Sequence, residues 1–199
     1  RFLKTGSEAC SAALRIARAA TGQTMVADFG VYHGWHDQFQ HKPPAWGVAA
    51  PIPADVVRLG WEMVGQSDFT GAAAVIVEPD ELGQAVHPLA LHQVRAACRR
   101  AGILLIFDEC KSGGRYPEFT AARHYGVQPD LLVLSKCLAN GWPLACVVGT
   151  ADAMACLEPG WRDRGPACCG PDTTSPPGPL RRWSRYGWHG ERFGSHRPL

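Results

Sequence analysis

The sequence predicts an α/β chain built on a mostly parallel sheet with helices on both faces. Three observations lead there. Ala72 to Val77, Ile103 to Phe107 and Asp130 to Leu134 are short apolar runs without polar alternation, the pattern of strands buried on both sides. Helical patterns separate them, as in βαβ units. Proline and glycine cluster between elements rather than inside them.

Taken in order, residues 5 to 20 read as a helix: Ala9, Ala12, Ala13, Ile16, Ala17 and Ala20 form a narrow apolar face, and Thr5 or Ser7 stands where a cap belongs. Thr24 to Phe29 is a short strand. Gly30 to Ala54 is loop-rich, broken by Pro43-Pro44 and Pro51-Ile52-Pro53. Residues 54 to 65 carry a weakly helical pattern. Ala72 to Val77 is a strand stopped by Glu78-Pro79, and Pro88 to Arg100 a helix with proline at its first position. The strands Ile103 to Phe107 and Asp130 to Leu134 bracket a helix near 118 to 125. Leu144 to Gly149 is a last strand and 150 to 157 a short helix.

Composition changes after residue 158. Gly160 to Leu199 contains no Ile, Val, Met or Lys, is dominated by Gly, Pro and Arg, and holds three of the seven Trp. Little there builds a core. The expected division is therefore a domain over 1–157 and an anomalous tail over 158–199. A disordered tail is one reading. Composition favours the other, out-of-frame translation or a truncated gene of high GC content.

The 199 residues are 46% hydrophobic and 19% charged, with a net charge of +2. That balance favours neither nucleic acid nor an anionic membrane as partner. No apolar run is long enough for a membrane span, and neither a span nor a signal peptide is expected. The eight cysteines include no C-x-x-C pair. Cys10, Cys98, Cys137, Cys146 and Cys156 lie in apolar surroundings, where a free thiol acts as a small hydrophobe. A reducing cytoplasm is expected. His33 and His36 form an H-x-x-H without a further ligand pair, so no metal site is expected.

The chemistry lies at two strand ends. Leu131-Leu132-Val133-Leu134-Ser135-Lys136 runs an apolar strand into a lysine, and Ile103-Leu104-Leu105-Ile106-Phe107-Asp108 runs another into a carboxylate 28 positions earlier. An amine at the mouth of a dry pocket loses its proton easily and becomes a nucleophile. An amine and an acid delivered by neighbouring parallel strands suit pyridoxal phosphate. Lys136 would hold the aldehyde as a Schiff base, and Asp108 would pair with the pyridine nitrogen. The alternatives are a snorkelling surface lysine and an ordinary helix-capping aspartate. The helix near Ser7 offers backbone N–H groups and its positive end to a phosphate, and Gly6 permits close approach.

Thr5-Gly6-Ser7-Glu8-Ala9, Tyr32-His33-Gly34, Val77-Glu78-Pro79, Phe107-Asp108-Glu109 and Leu134-Ser135-Lys136 stand in one order along the chain. In order and approximate spacing they resemble class III aminotransferases, with the glutamate-1-semialdehyde aminomutase-like branch closest. The resemblance covers roughly residues 1 to 157. It implies the large domain of a fold-type I transferase, in incomplete form, with pyridoxal 5′-phosphate (PLP) as cofactor. It assigns Lys136 to catalysis, and Gly6, Ser7, Tyr32, Glu78, Asp108, Cys110 and Lys136 to the cofactor. Tyr32 would stack on the ring. Cys110 replaces the usual valine that packs on it. Glu109 reads as structural, and Ser135 as a phosphate ligand or a positioner of Lys136. Asp80-Glu81-Leu82-Gly83 departs from the family's small, glycine-rich run.

Three functions follow. The first is a transaminase moving an amino group between a small-molecule amine donor and a carbonyl acceptor. The second is an aminomutase moving it within one molecule. The third is a non-catalytic remnant. The resemblance also implies a homodimer if the chain is complete. A partner threonine would then finish the phosphate site, and the surroundings of Thr173-Thr174 do not match that segment.

Overall fold

Strands written almost entirely in Val, Ile and Leu have no polar face to show to water, so they pair side by side in the middle of a sheet. The computed structural model describes residues 1–30, 36, 39, 55–81, 84, 85 and 87–158. In chain order these form β1 (Phe2–Leu3), α1 (Gly6–Thr21), β2 (Val26–Phe29), β3 (Val56–Arg58), β4 (Ala74–Val77), β5 (Asp80–Glu81), β6 (Gln84–Ala85), α2 (Pro88–Ala101), β7 (Leu104–Glu109), α3 (Ala121–His124), β8 (Leu131–Leu134), β9 (Ala145–Gly149) and α4 (Ala151–Met154). Seven strands make one sheet in the order β1-β9-β8-β7-β4-β2-β3. Only β9 runs against the rest, pairing antiparallel with both β1 and β8. β5 and β6 form a separate antiparallel pair.

The pleat sorts side chains onto two cores. Ile76, Ile106, Leu131, Val133, Ala145 and Val147 meet the apolar face of α1. Val75, Val77, Leu105 and Phe107 meet Leu91, Val94 and Cys98 of α2. Helices therefore cover both faces, as predicted.

Thr5, not Ser7, caps α1. Its hydroxyl accepts the Glu8 N–H at 3.2 Å, and the Glu8 carboxylate accepts the Thr5 N–H at 3.0 Å. This reciprocal box is a strong start signal. Gly22, at φ +69°, closes the helix in the left-handed region open to glycine. Thr5→Ala should lower stability by about 1 kcal/mol in urea denaturation, while Thr5→Ser keeps most of it.

Several expectations change. The helix predicted over 54–65 is not found in the described part. Val56–Arg58 is instead a parallel edge strand on β2, followed by one 3-10 turn at Trp61–Met63. Val56 buries against the α1 core, and Arg58 lies 3.1 Å from the fully buried Asp28 on the neighbouring strand. These tertiary contacts override a weak local preference. β7 extends to Glu109, so both carboxylates lie inside the strand rather than after it. The helix near 118–125 shrinks to Ala121–His124 because Phe119 turns left-handed at φ +74°. β1, β5 and β6 were not anticipated. Almost all of the predicted loop over 30–54, and the tail from 159 onward, lie outside the described residues.

Candidate active site

The site is assembled at the carboxyl ends of the parallel strands, where open α/β sheets bind ligands. Register sets it. Asp108 on β7 lies opposite Val133 on β8, and Glu109 opposite Leu134. Two residues later comes Lys136, so acid and amine leave neighbouring parallel strands at one edge. β1 reaches the same edge: Leu3 pairs with Ala145, and Cys146 pairs with Leu134. The first turn of α1, with Gly6 and Ser7, therefore starts beside the exit of β8. The capping box engages the N–H groups of Lys4, Thr5 and Glu8 there.

Adjacent carboxylates on β7 point opposite ways. Asp108 follows Leu104 and Ile106 onto the α1 face, where it is 3% exposed. Its Oδ1 accepts the Cys110 N–H at 3.0 Å. Glu109 turns to the other face and is fully buried. There it accepts the Ala121 N–H at 2.6 Å and the Ala122 N–H at 2.9 Å, with the Ser112 hydroxyl at 3.4 Å. It is thus bound to the start of α3, in keeping with a structural part.

Lys136 is solvent-exposed and has φ +33°. Among the described residues only Phe119 and Asn140 share that left-handed region without being glycine. The turn breaks the strand's alternation at the residue that carries the amine. Lys136 and Asp108 belong to one electrostatic neighbourhood, because both fields reach the Cys110 thiol. That thiol lies above its ordinary value. A hydrogen bond with Cys10 opposes the rise, burial drives it, Asp108 adds to it, and the Lys136 ammonium offsets part. Ser135 is buried and directs its hydroxyl toward the Leu144 carbonyl at 3.5 Å, a long contact that holds the segment before the lysine.

Glu78 extends the β4 ladder by donating its N–H to Phe29 O at 3.1 Å. Alternation after Ala74 and Ile76 puts its side chain on the α1 face, one strand from Asp108. Lys111 approaches it, with Nζ 3.7 Å from Glu78 Oε1, and also donates to Asp80 O at 3.2 Å.

Sequence reasoning missed Lys111 and the nearness of Cys10 to Asp108. Neither carries a local signal, since each partner arrives from a distant element. Tyr32 and His33 lie outside the described residues. His36 is described and pairs through Nδ1 with the Ser11 hydroxyl of α1 at 2.5 Å.

The loop after β7 packs directly on the lysine turn. A side chain at Gly113 would meet Glu109 O at 2.8 Å and Leu134 Cδ2 at 2.9 Å. One at Gly114, φ +76°, would meet Cys137 at 3.0 Å. Glycine is required for that approach. A cavity of about 630 Å³, lined by Thr21, Gly71, Gly102, Asp130 and Thr150 among others, lies at the amino ends of the strands, away from this chemistry. Among the described residues no helix is long and apolar enough to cross a membrane.

Comparison with known proteins gives one consistent picture. Residues 61–170, more than half of the chain, match the model of the family described as aminotransferase class-III. An omega-transaminase from Sphaerobacter thermophilus superposes with TM-score 0.72 at 28% identity, covering 85% of this chain and 44% of that one. A transaminase with PLP bound gives TM-score 0.70 at 26% identity, over 80% of this chain and 42% of the other. The FumI protein of Sphingopyxis sp. MTA144, in its PLP internal aldimine form, gives 0.65 at 27%, over 77% and 40%. The chain spans less than half the length of these solved structures.

Proposed function

The chain belongs to the class-III aminotransferase family, and on that premise we propose that it binds pyridoxal 5′-phosphate through Lys136 and serves transfer of an amino group from an amine donor to a carbonyl acceptor. The observation that carries this reading is the β7–β8 register, which brings a buried acid and an exposed amine to one sheet edge beside the start of α1. The donor set fits the cofactor: a carboxylate for the ring nitrogen, an amine for the aldehyde, and a helix start for the phosphate.

Bound pyridoxal phosphate supplies an electrophilic carbon and an electron sink. Asp108 keeps a proton on the ring nitrogen, and burial strengthens that pairing. Lys136 Nζ anchors the cofactor, then takes and returns a proton at the substrate α-carbon. Its place on a turn at the strand mouth gives the amine reach in both roles. Gly6 and Ser7 receive the phosphate at the positive end of α1. Cys110 would pack on the ring, the family resemblance assigns Tyr32 to its face, and Glu78 pairs with Lys111 at the neighbouring strand end.

We infer transfer between two molecules rather than within one, a reading that the similarity to two transaminases supports. The aminomutase-like branch is the second reading, carried only by the motif resemblance. Residues 1–157 form the cofactor-binding unit of this proposal, and 158–199 stand apart by composition. The six described cysteines are free thiols, which supports a reducing compartment such as the cytoplasm. The resemblance implies a homodimer if the chain is complete: light scattering at twice the chain mass would support it, and a monomer would argue against a complete site.

The test is spectroscopic. Purified chain mixed with pyridoxal phosphate should gain an absorbance band that free cofactor lacks. An amine donor should remove that band and a separate carbonyl acceptor restore it. Restoration without any added acceptor favours the aminomutase. A spectrum identical to free cofactor supports the non-catalytic reading and rejects this one.

A further inference from the structure

We propose that Cys10, Asp108 and Cys110 form a binding site for one thiophilic divalent cation of the zinc class. The Sγ atoms of both cysteines and a carboxylate oxygen of Asp108 all lie within 4.8 Å of one another. All three residues are buried, at 0%, 3% and 2% exposure. Cys10 comes from the second turn of α1, and the other two from the end of β7 and the residue after it. The sheet, not a local motif, brings them together across 98 positions of sequence. The Cys110 N–H on Asp108 Oδ1 ties the carboxylate to the loop that carries the second thiol.

Two sulfur donors and one carboxylate oxygen are a ligand set zinc accepts, with a fourth position left for water or another ligand. Tetrahedral zinc separates such atoms by about 3.5–3.8 Å, inside the 4.8 Å within which the three atoms lie. Burial of small hydrophobic thiols explains either cysteine alone. Here two hydrogen-bonded thiols converge on a buried carboxylate, which sets three ligand atoms together rather than one. Binding replaces the two thiol protons, which pass to water, with one dication.

Asp108 cannot serve a metal and a pyridine nitrogen together, so cation and cofactor should exclude each other. That consequence rests on the cofactor reading, whereas binding of the cation does not.

Cobalt(II), a spectroscopic substitute for zinc, is titrated into the cofactor-free full chain. The expected result is a thiolate-to-cobalt charge-transfer band that saturates at one cobalt per chain and is bleached by zinc. Cys168→Ser/Cys169→Ser removes the adjacent cysteine pair and should leave the band intact. Cys10→Ala and Cys110→Ala should each weaken cobalt binding by at least about tenfold. Should either variant unfold by circular dichroism, Asp108→Asn decides, since it keeps both thiols and the local shape and should also weaken binding. No band in the wild type, or an unchanged cobalt affinity in Asp108→Asn, overturns the site. Preloading with pyridoxal phosphate should block cobalt. If cobalt binds unhindered to a chain already carrying the cofactor, the shared role of Asp108 fails while the metal site stands.

Discussion

Lys136→Ala should erase the cofactor absorbance band and the label fixed by borohydride reduction, and lower amino transfer by about 10³-fold or more. The magnitude follows from what is removed. Proton transfer by a positioned side chain contributes about 10²–10⁴-fold, and covalent anchoring is lost with it. The result is interpretable because the fold should survive. Lys136 is exposed, is the first residue of a 3-10 turn, and makes no buried ion pair among those described. Alanine at φ +33° meets about the same backbone penalty as lysine. Lys136→Gly supplies the complementary case. It relieves the left-handed backbone and should stabilise the chain by up to about 1 kcal/mol, yet lose the spectrum equally. Two variants that diverge in stability and agree in loss of the band separate a chemical role from a structural one. An unchanged band in either variant would refute the assignment of the amine.

Why was that lysine legible when other parts were not? Strands buried on both faces leave a continuous apolar record, so β7 and β8 stood out, and each ended on a residue that an apolar run does not otherwise favour. The start of α1 was readable because Thr5 and Glu8 sit at the fixed spacing of a capping box. Proline at the first position of α2 gave a similar signal. The edge strand β3 gave none. It has three residues, and its pairing partner Val26 lies 30 positions away in the Val26–Val56 register. The approach of Lys111 to Glu78 was hidden for the same reason, as was the gathering of Cys10 around Asp108. Local spacing records propensity and caps, whereas contacts between elements exist only after the sheet has formed. The family resemblance rested largely on residues at strand and helix ends, and the fold collects those of them that are described at one edge. One departure in this chain, Cys110, lies inside that collection, next to Cys10. It bears on the electronics of the site rather than on whether the sheet forms.

Glu109→Ala should cost about 2–5 kcal/mol, a larger loss than any surface change. It leaves two amide N–H groups at the start of α3 without the carboxylate that binds both, and orphaned buried donors carry their full desolvation cost. The damage should reach the lysine. Glu109 O accepts the Gly113 N–H at 2.9 Å, and the glycines of that loop touch Cys137, the residue after Lys136. Glu109→Gln is the sharper probe. Its amide keeps one acceptor oxygen but turns an NH₂ donor toward the second N–H, so it should be less stable than wild type in acid. The pH dependence has a definite sign. Burial raises the Glu109 carboxyl above its ordinary value of 4.5, against the pull of the Ala122 and Ala121 N–H groups and the Ser112 hydroxyl. The folded chain therefore holds that proton more tightly than the unfolded chain does. The resulting stability is fully present below the unfolded value and is lost as pH rises through the folded one. Urea midpoints measured from about pH 4 to 8 should show the advantage of wild type over Glu109→Gln shrinking as pH rises. An advantage that grows with pH would mean that the two amide donors outweigh burial, and that Glu109 is held ionised at the helix start.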